Sequence, residues 1–379
     1  MRAVLFANRV VDPVRSMTGI GRYVQHLTAA LAERAEPGWQ YDVSAPRERG
    51  QPGWLPPGVG YRPIPGPRKA LHLAWTALHR PRLERVVGSF DLVHALHPSF
   101  PLATRRPTVV TVHDVMLLEH PEWYERGELL GFRRCMDQLA AGDGPVITIS
   151  ADVAERLVQL VGVARERITV VHLGVGDEFR RPARASEIER ACVTLDLGPG
   201  RYLLAVGNIS TRKNLITLVR ALAEVEARDI PLVLAGRPGI GAAEVDEEIR
   251  RQRLADRIRF AGFVADAEMP ALVQGALALV HAAVDEGFGL PPLEAMAAGT
   301  PVIAARAGSI PEVLGDAALL VDPLDAKAWT EAIDLVAADA YRRAEMAAAG
   351  LSRASDFTWQ RVAEQTVAVH RSAMADALR

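Results

Sequence analysis

Short unbroken apolar runs recur along the chain, with helical stretches between them. They lie at 3–7, 92–96, 109–112, 146–149 and 168–172 in the first half, and at 203–206, 232–235, 277–282, 302–305 and 318–321 in the second. Continuous runs, rather than strict alternation, suit strands buried on both faces. Alternating with helices, they predict two doubly wound α/β domains. The polar, helix-averse stretch Arg180-Arg181-Pro182-Ala183-Arg184 separates the two series. The expected domains are therefore 1–182 and 183–356. Residues 357–379 read as one more amphipathic helix, to which Trp359, Val362, Val367 and Val369 supply apolar contacts. No fixed-period repeat or low-complexity tract interrupts the pattern.

Composition narrows the class. A chain of 379 residues is long enough for two ordinary domains. No apolar run reaches the length of a membrane span. Met1 to Ala7 reads as a first strand rather than a signal peptide. Two distant cysteines, Cys135 and Cys192, form no metal-binding spacing and fit a reducing cytoplasm. A net charge of −2 argues against nucleic acid as a partner. The charge is uneven, however: residues 1–185 carry a net of +5 and the remainder −7. A basic N-terminal half suits anionic acceptors or a membrane surface, and plain arginine-rich usage is the competing explanation. Between Tyr61 and Val87, Arg62, Arg68, Lys69, Arg80, Arg82 and Arg85 flank Leu71, Leu73, Trp75 and Leu78. Such a helix either lies on anionic lipid or packs its Trp inward. The expected location is thus cytoplasmic, with peripheral membrane contact as the further reading.

The densest candidate chemistry runs from Asp285 to Gly299: Asp285-Glu286-Gly287-Phe288-Gly289-Leu290-Pro291-Pro292-Leu293-Glu294-Ala295-Met296-Ala297-Ala298-Gly299. Pro291 and Pro292 fit only the first turn of a helix, so one is expected from near Leu290 to Ala298, with Gly299 as its stop. Glu286 then lies in the loop before it, and Glu294 one turn inside. The amides of Gly289 and Leu290 face out of the helix N-terminus, where an anion is favoured. Two hydroxyl-binding carboxylates beside a phosphate-binding backbone suit a sugar nucleotide.

In open α/β sheets ligands bind at the carboxyl ends of strands, which ranks the other polar residues. After the first strand come Met17-Thr18-Gly19-Ile20-Gly21-Arg22-Tyr23 and a helix from Gly21 to Arg34. The 109–112 run ends in His113-Asp114, where the His is either a sugar or proton-transfer ligand or a structural histidine. Ser150 reads as a helix N-cap. The 203–206 run leads into Gly207-Asn208-Ile209-Ser210-Thr211-Arg212-Lys213-Asn214, two adjacent cations before a helix, which suits a diphosphate. Lys213 is one of only three lysines, with Lys69 and Lys327. Gly236-Arg237 and Phe263-Val264 line either a nucleobase slot or an ordinary turn.

These residues together resemble the retaining glycosyltransferases of the GT-B fold, family 4, and among them the bacterial mannosyltransferases. The strongest part is Glu286-Gly287-Phe288-Gly289-Leu290-Pro291-Pro292-Leu293-Glu294, which matches the family's E-x7-E motif. Gly299-Thr300-Pro301-Val302-Ile303, Gly308-Ser309-Ile310-Pro311-Glu312-Val313, Arg212-Lys213-Asn214, Gly19-Ile20-Gly21-Arg22-Tyr23 and His113-Asp114 support it. The resemblance implies two Rossmann-like domains facing a cleft, the N-terminal one taking the acceptor and the C-terminal one the donor. The last helix would cross back onto the N-terminal domain.

The resemblance also implies residue roles. Glu294 would bind ribose hydroxyls and Glu286 the donor sugar. Arg212 and Lys213, with the Gly289 and Leu290 amides, would neutralise the diphosphate. Gly19, Gly21, Gly287, Phe288, Phe263 and Val264 would complete the donor site. His113 would touch the donor sugar near the reacting carbon, and Arg22, Tyr23 and Asp114 would face the acceptor. Asn208 stands where several family members carry Arg, so Lys213 is the firmer phosphate ligand.

The activity expected on that basis is retaining transfer of a hexose, first of all mannose from GDP-mannose. GDP- or UDP-linked donors and a glycan, glycolipid or small-molecule acceptor are the implied partners. No cofactor or metal is expected, since the chain holds no D-x-D triplet. The family expectation is front-face return, with the leaving phosphate taking the acceptor proton. The alternatives are a same-fold phosphorylase or sugar-nucleotide epimerase, and a non-catalytic scaffold.

Overall fold

The computed structural model describes residues 1–7, 19–34, 36–46, 51–66, 68–99, 101–124 and 128–377. They form two compact units: Met1–Gly174 with Thr358–Arg379, and Val175–Phe357. The first unit contains β1 (Arg2–Phe6), β2 (Gln40–Pro46), β3 (Gly60–Ile64), β4 (Leu92–Ala95), β5 (Thr108–Val112), β6 (Val146–Thr148) and β7 (Ile168–Val170). All pair in parallel, in the order β3-β2-β1-β4-β5-β6-β7. The second contains β8 (Leu203–Val206), β9 (Leu232–Ala235), β10 (Ile258–Gly262), β11 (Ala278–His281), β12 (Val302–Ala305) and β13 (Leu319–Val321). These are also parallel, in the order β10-β9-β8-β11-β12-β13. Two doubly wound α/β domains, as the apolar runs predicted, are thus present. Strand order reverses between β1 and β4 in one sheet and between β8 and β11 in the other. Such switch points are where open α/β sheets hold ligands.

Central strands follow the expected rule. Every residue of β4, β9, β11 and β12 is buried, which is why their sequences read as unbroken apolar runs. Strands β2 and β3 escaped that rule. In β2, Tyr41, Val43 and Ala45 are buried, but buried Asp42 and Ser44 break the apolar run. Arg62 of the edge strand β3 holds Asp42 at 2.6 Å, and Pro63 is tolerated at an edge. Phe260-Ala261-Gly262 end β10, whose register shifts between Phe260 and Gly262.

The chain passes from one unit to the other at Gly174–Val175, ahead of the polar stretch at 180–184. That stretch sits inside the second unit because Arg180 donates to the carbonyls of Ala354 and Phe357 at 2.8 and 2.9 Å. The helix Gly19–Arg34 starts two residues before the expected Gly21; Met17 and Thr18 lie outside the described residues. The last helix, Trp359–Asp376, packs in the first unit, capped by Thr358 Oγ1 accepting from the Arg361 amide. Its Trp359 ring stacks on His26 with centroids 5.1 Å apart, and Arg371 pairs with Glu36.

A buried polar chain ties this helix to the sheet. Tyr23 Oη lies 2.9 Å from Thr111 Oγ1, which lies 2.8 Å from His94 Nε2; His94 Nδ1 lies 3.0 Å from His370 Nε2. Burial pushes three buried histidines of this unit down, His370 to about 3, His113 to about 4, and His94 to well below the ordinary value. The folded state refuses protons that the unfolded chain accepts once the pH falls below the ordinary value of 6.5. The stability these groups contribute is therefore complete above that pH and is lost toward the folded values. Urea unfolding should show stability falling below pH 6.5, by up to about 1.4 kcal/mol per pH unit for each such histidine. His370→Phe should flatten that slope.

Candidate active site

The candidate site lies at the β8–β11 switch point of the second unit. After β8 the chain turns through Gly207 to Ser210, makes a 3-10 turn at Thr211–Lys213, and enters the helix Leu215–Glu224. Loops after neighbouring strands lace this segment in place. Ile209 N donates to Arg237 O at 2.9 Å, Thr211 N to Ile240 O at 2.8 Å, and Val284 N to Arg212 O at 3.0 Å. Asn214 turns the corner with φ 50°, and its side-chain amide donates to Ala282 O (3.2 Å) and Pro323 O (2.6 Å). One side chain thus fastens the cation-bearing turn to the ends of β11 and β13. Asn214→Ala leaves those carbonyls short of a donor, so a stability loss of about 1–2 kcal/mol is expected. Chemical denaturation checks the loss.

Arg212 and Lys213 converge on Glu286. Its Oε2 accepts from Lys213 Nζ at 2.6 Å and from Arg212 Nη1 at 2.9 Å, and Arg212 Nη1 also donates to Asp285 O at 2.8 Å. All three side chains are largely enclosed, with exposures of 12% for Lys213, 16% for Glu286 and 23% for Arg212. Burial pushes the Glu286 carboxyl up, but the charges of Arg212 and Lys213 outweigh it and hold the group well below the ordinary carboxylate range. Burial lowers Lys213; Arg212 adds to that, and Glu286 opposes it.

The loop that carries Glu286 is pinned from behind. Ser309 donates its amide and hydroxyl to Glu286 O at 3.1 and 2.9 Å. Gly308 approaches so closely that a Cβ there would stand 2.6 Å from the same carbonyl oxygen. The expected helix follows as Leu290–Ala297, with its two prolines in the first turn. Gly289 caps it at φ 94°, where a Cβ would also meet Ile310 Cδ1 at 2.5 Å. Glu294 lies one turn in and is 4% exposed.

The remaining sequence-derived candidates divide between the two units. In the second unit, Phe263 follows β10 and is 44% exposed, with the Arg237 guanidinium 4.7 Å over its ring. Val264 follows it and is half-buried. Gly287 and Leu290 are buried. Phe288, read as a donor ligand, spends its ring on the core, edge-on to Phe357 at 6.0 Å. In the first unit, His113 Nε2 lies 2.8 Å from Leu96 O; a carbonyl only accepts, so Nε2 carries the proton and Nδ1 the lone pair. Asp114 Oδ1 accepts from the Met116 amide at 3.3 Å, Gly19 is exposed, Gly21 buried and Arg22 half-buried. Tyr23, expected at an acceptor, is 1% exposed, with its hydroxyl 2.9 Å from Thr111 Oγ1 and its ring edge-on to His113 at 4.7 Å.

Sequence reasoning missed a third group on the glutamate. His281 ends β11 with its Nε2 3.3 Å from Glu286 Oε2. It was absorbed into the apolar run at 277–282; the signal available was a lone titratable residue at the end of a fully buried strand.

The family model for glycosyl transferases group 1 matches residues 196–353, and the model for glycosyltransferase family 4 matches residues 17–179. The O-antigen chain mannosyltransferase B of Escherichia coli is 29% identical over 280 residues, covering 72% of this chain and 73% of that protein. A D-inositol 3-phosphate glycosyltransferase of Kineococcus radiotolerans is 32% identical over 308 residues, covering 75% and 67%. Among solved structures, the Anabaena protein HepE in complex with UDP and glucose aligns at a TM-score of 0.76 and 20% identity, over 98% of this chain and 100% of that one. With the E-x7-E loop, its paired cations and two parallel-sheet units of the GT-B fold in hand, the chain belongs to glycosyltransferase family 4.

Proposed function

We propose that the protein moves a hexose from a nucleotide-diphosphate sugar to a glycan, glycolipid or small-molecule acceptor, retaining the anomeric configuration and needing no metal. GDP-mannose is the first candidate donor, because mannosyltransferases recur among the relatives. The observation that carries the reading is the convergence of Arg212 and Lys213 on Glu286 at the β8–β11 switch point, beside the start of the helix Leu290–Ala297.

The chemistry follows from charge. A departing nucleoside diphosphate gains negative charge, and fixed cations and a helix N-terminus stabilise it. In this reading Arg212 and Lys213 exchange the carboxylate for the diphosphate, with the Gly289 and Leu290 amides beside them. Glu286, freed, accepts from a donor-sugar hydroxyl, and Glu294 reads the ribose. Neutral His113, with its lone pair on Nδ1, is suited to accept from a hydroxyl rather than to supply charge. The experiment is a donor panel of GDP- and UDP-sugars assayed in EDTA, with the product anomer read by NMR. Transfer with retention supports the reading; a strict metal requirement or an inverted product overturns it.

We place the enzyme in the cytoplasm against an anionic membrane. Among the described residues no helix is long and apolar enough to cross one. In the helix Arg68–Leu78, Leu71 and Trp75 are core, whereas Leu73 and Leu78 are 70% and 69% exposed, followed by exposed Arg80 and Arg85. Arg80→Glu with Arg85→Glu should weaken flotation with anionic liposomes at low salt, and unchanged flotation would refute the surface.

A further inference from the structure

His281 is 3% exposed, and its Nε2 is buried without a hydrogen-bond partner of good geometry, 3.3 Å from the Glu286 carboxylate. The groups that face it are few. The turn after β8 contributes Lys213 and Arg212, and the loop after β11 contributes Glu286. On β12 the residue in register with it is Ala304, which does not titrate. One carboxylate therefore balances two cations, with a neutral imidazole against it.

A diphosphate that draws Arg212 and Lys213 away would leave Glu286 enclosed with no cation on it. A buried carboxylate stripped of its partners is strongly disfavoured. We propose that His281 is a positioning residue of the donor site: when a nucleotide-sugar diphosphate engages Arg212 and Lys213, His281 takes one proton from solvent at its imidazole and becomes the ionic partner that holds Glu286 against the donor sugar. This rests on the donor-site reading above.

Two effects push in the same direction. At present burial and then Lys213 hold His281 down at about 4, so it is neutral near pH 7. An arriving diphosphate neutralises the fields of Lys213 and Arg212, which oppose protonation, while the carboxylate that favours it stays in place. Uptake of a proton on binding means, by linkage, that acidification tightens binding, by at most about tenfold per pH unit. The diester phosphates of an intact nucleotide sugar do not titrate near neutrality, so they do not contribute.

The test is calorimetric titration of the full chain with GDP-mannose and with UDP-glucose, without acceptor, in buffers of different ionisation enthalpy, from mildly acidic to mildly alkaline pH. The expected result is fractional proton uptake by the unmodified protein. His281→Asn keeps a neutral N–H donor beside Glu286; it should bind the donor with no uptake and a flat pH dependence, and keep more of kcat than His281→Leu. Binding without uptake by the unmodified protein, or uptake that persists in His281→Asn, overturns the inference while leaving the donor site standing. Absence of binding by both donors overturns the donor-site reading and this inference with it.

Discussion

Lys213→Ala should lower kcat for sugar transfer by about 10²–10³-fold, the loss typical of removing one fixed donor from a site of developing negative charge. The second unit should remain folded, because Arg212 still neutralises Glu286 at 2.9 Å. Lys213→Arg should rescue little. The ammonium is a point charge fitted between Glu286 and Gly207, whose added Cβ would stand 3.1 Å from Lys213 Cε, and a planar guanidinium is not its equivalent there. Initial rates against donor concentration, with a urea denaturation curve for each variant, separate lost transition-state stabilisation from lost fold. A stable Lys213→Ala protein with unchanged kcat would remove the lysine from the mechanism.

Glu286→Ala should cost as much activity with the opposite signature in binding. It leaves two enclosed cations facing one another, a state expected to cost about 3 kcal/mol of stability. A diphosphate supplies the missing negative charge, so nucleoside-diphosphate affinity should hold or rise while transfer falls by about 10²-fold or more. Added nucleotide should restore much of the lost stability, since a ligand that binds only the folded state adds to it. Titration with GDP and UDP alongside thermal unfolding reads both effects. Joint loss of nucleotide affinity and transfer would mean that the carboxylate organises the cations rather than competing for them.

Much of this was legible in the chain because burial and chemistry left distinct marks. Strands enclosed on both faces read as continuous apolar runs, so β4, β5, β8, β9, β11 and β12 stood out. The edge of the first sheet did not. Asp42 and Arg62 satisfy each other across β2 and β3, a long-range pairing that no local pattern announces. The helix after the E-x7-E loop was readable from Pro291, Pro292 and Gly299, each with a fixed conformational demand.

The convergence of Arg212 and Lys213 on Glu286 could be guessed only from the rule that ligands gather at strand ends. Seventy-odd residues of sequence separate the partners, and strand order brings them together. His281 stayed hidden because it completes a buried strand in the same register as its apolar neighbours. The burial of Tyr23 was hidden for a related reason. A tyrosine after a glycine-rich turn suits an acceptor in sequence, but only the fold shows Thr111 taking its hydroxyl.

In the proposed function the Arg212–Lys213–Glu286 cluster receives a nucleotide-sugar diphosphate. Thermal unfolding of the unmodified protein and Lys213→Ala, each with increasing GDP-mannose or UDP-glucose, tests it most directly. One of these donors should raise the midpoint of the unmodified protein progressively, equivalent to about 2.7 kcal/mol at a hundredfold excess over Kd. That rise should be largely abolished in Lys213→Ala. No shift with either donor, or an equal shift in both proteins, would contradict it.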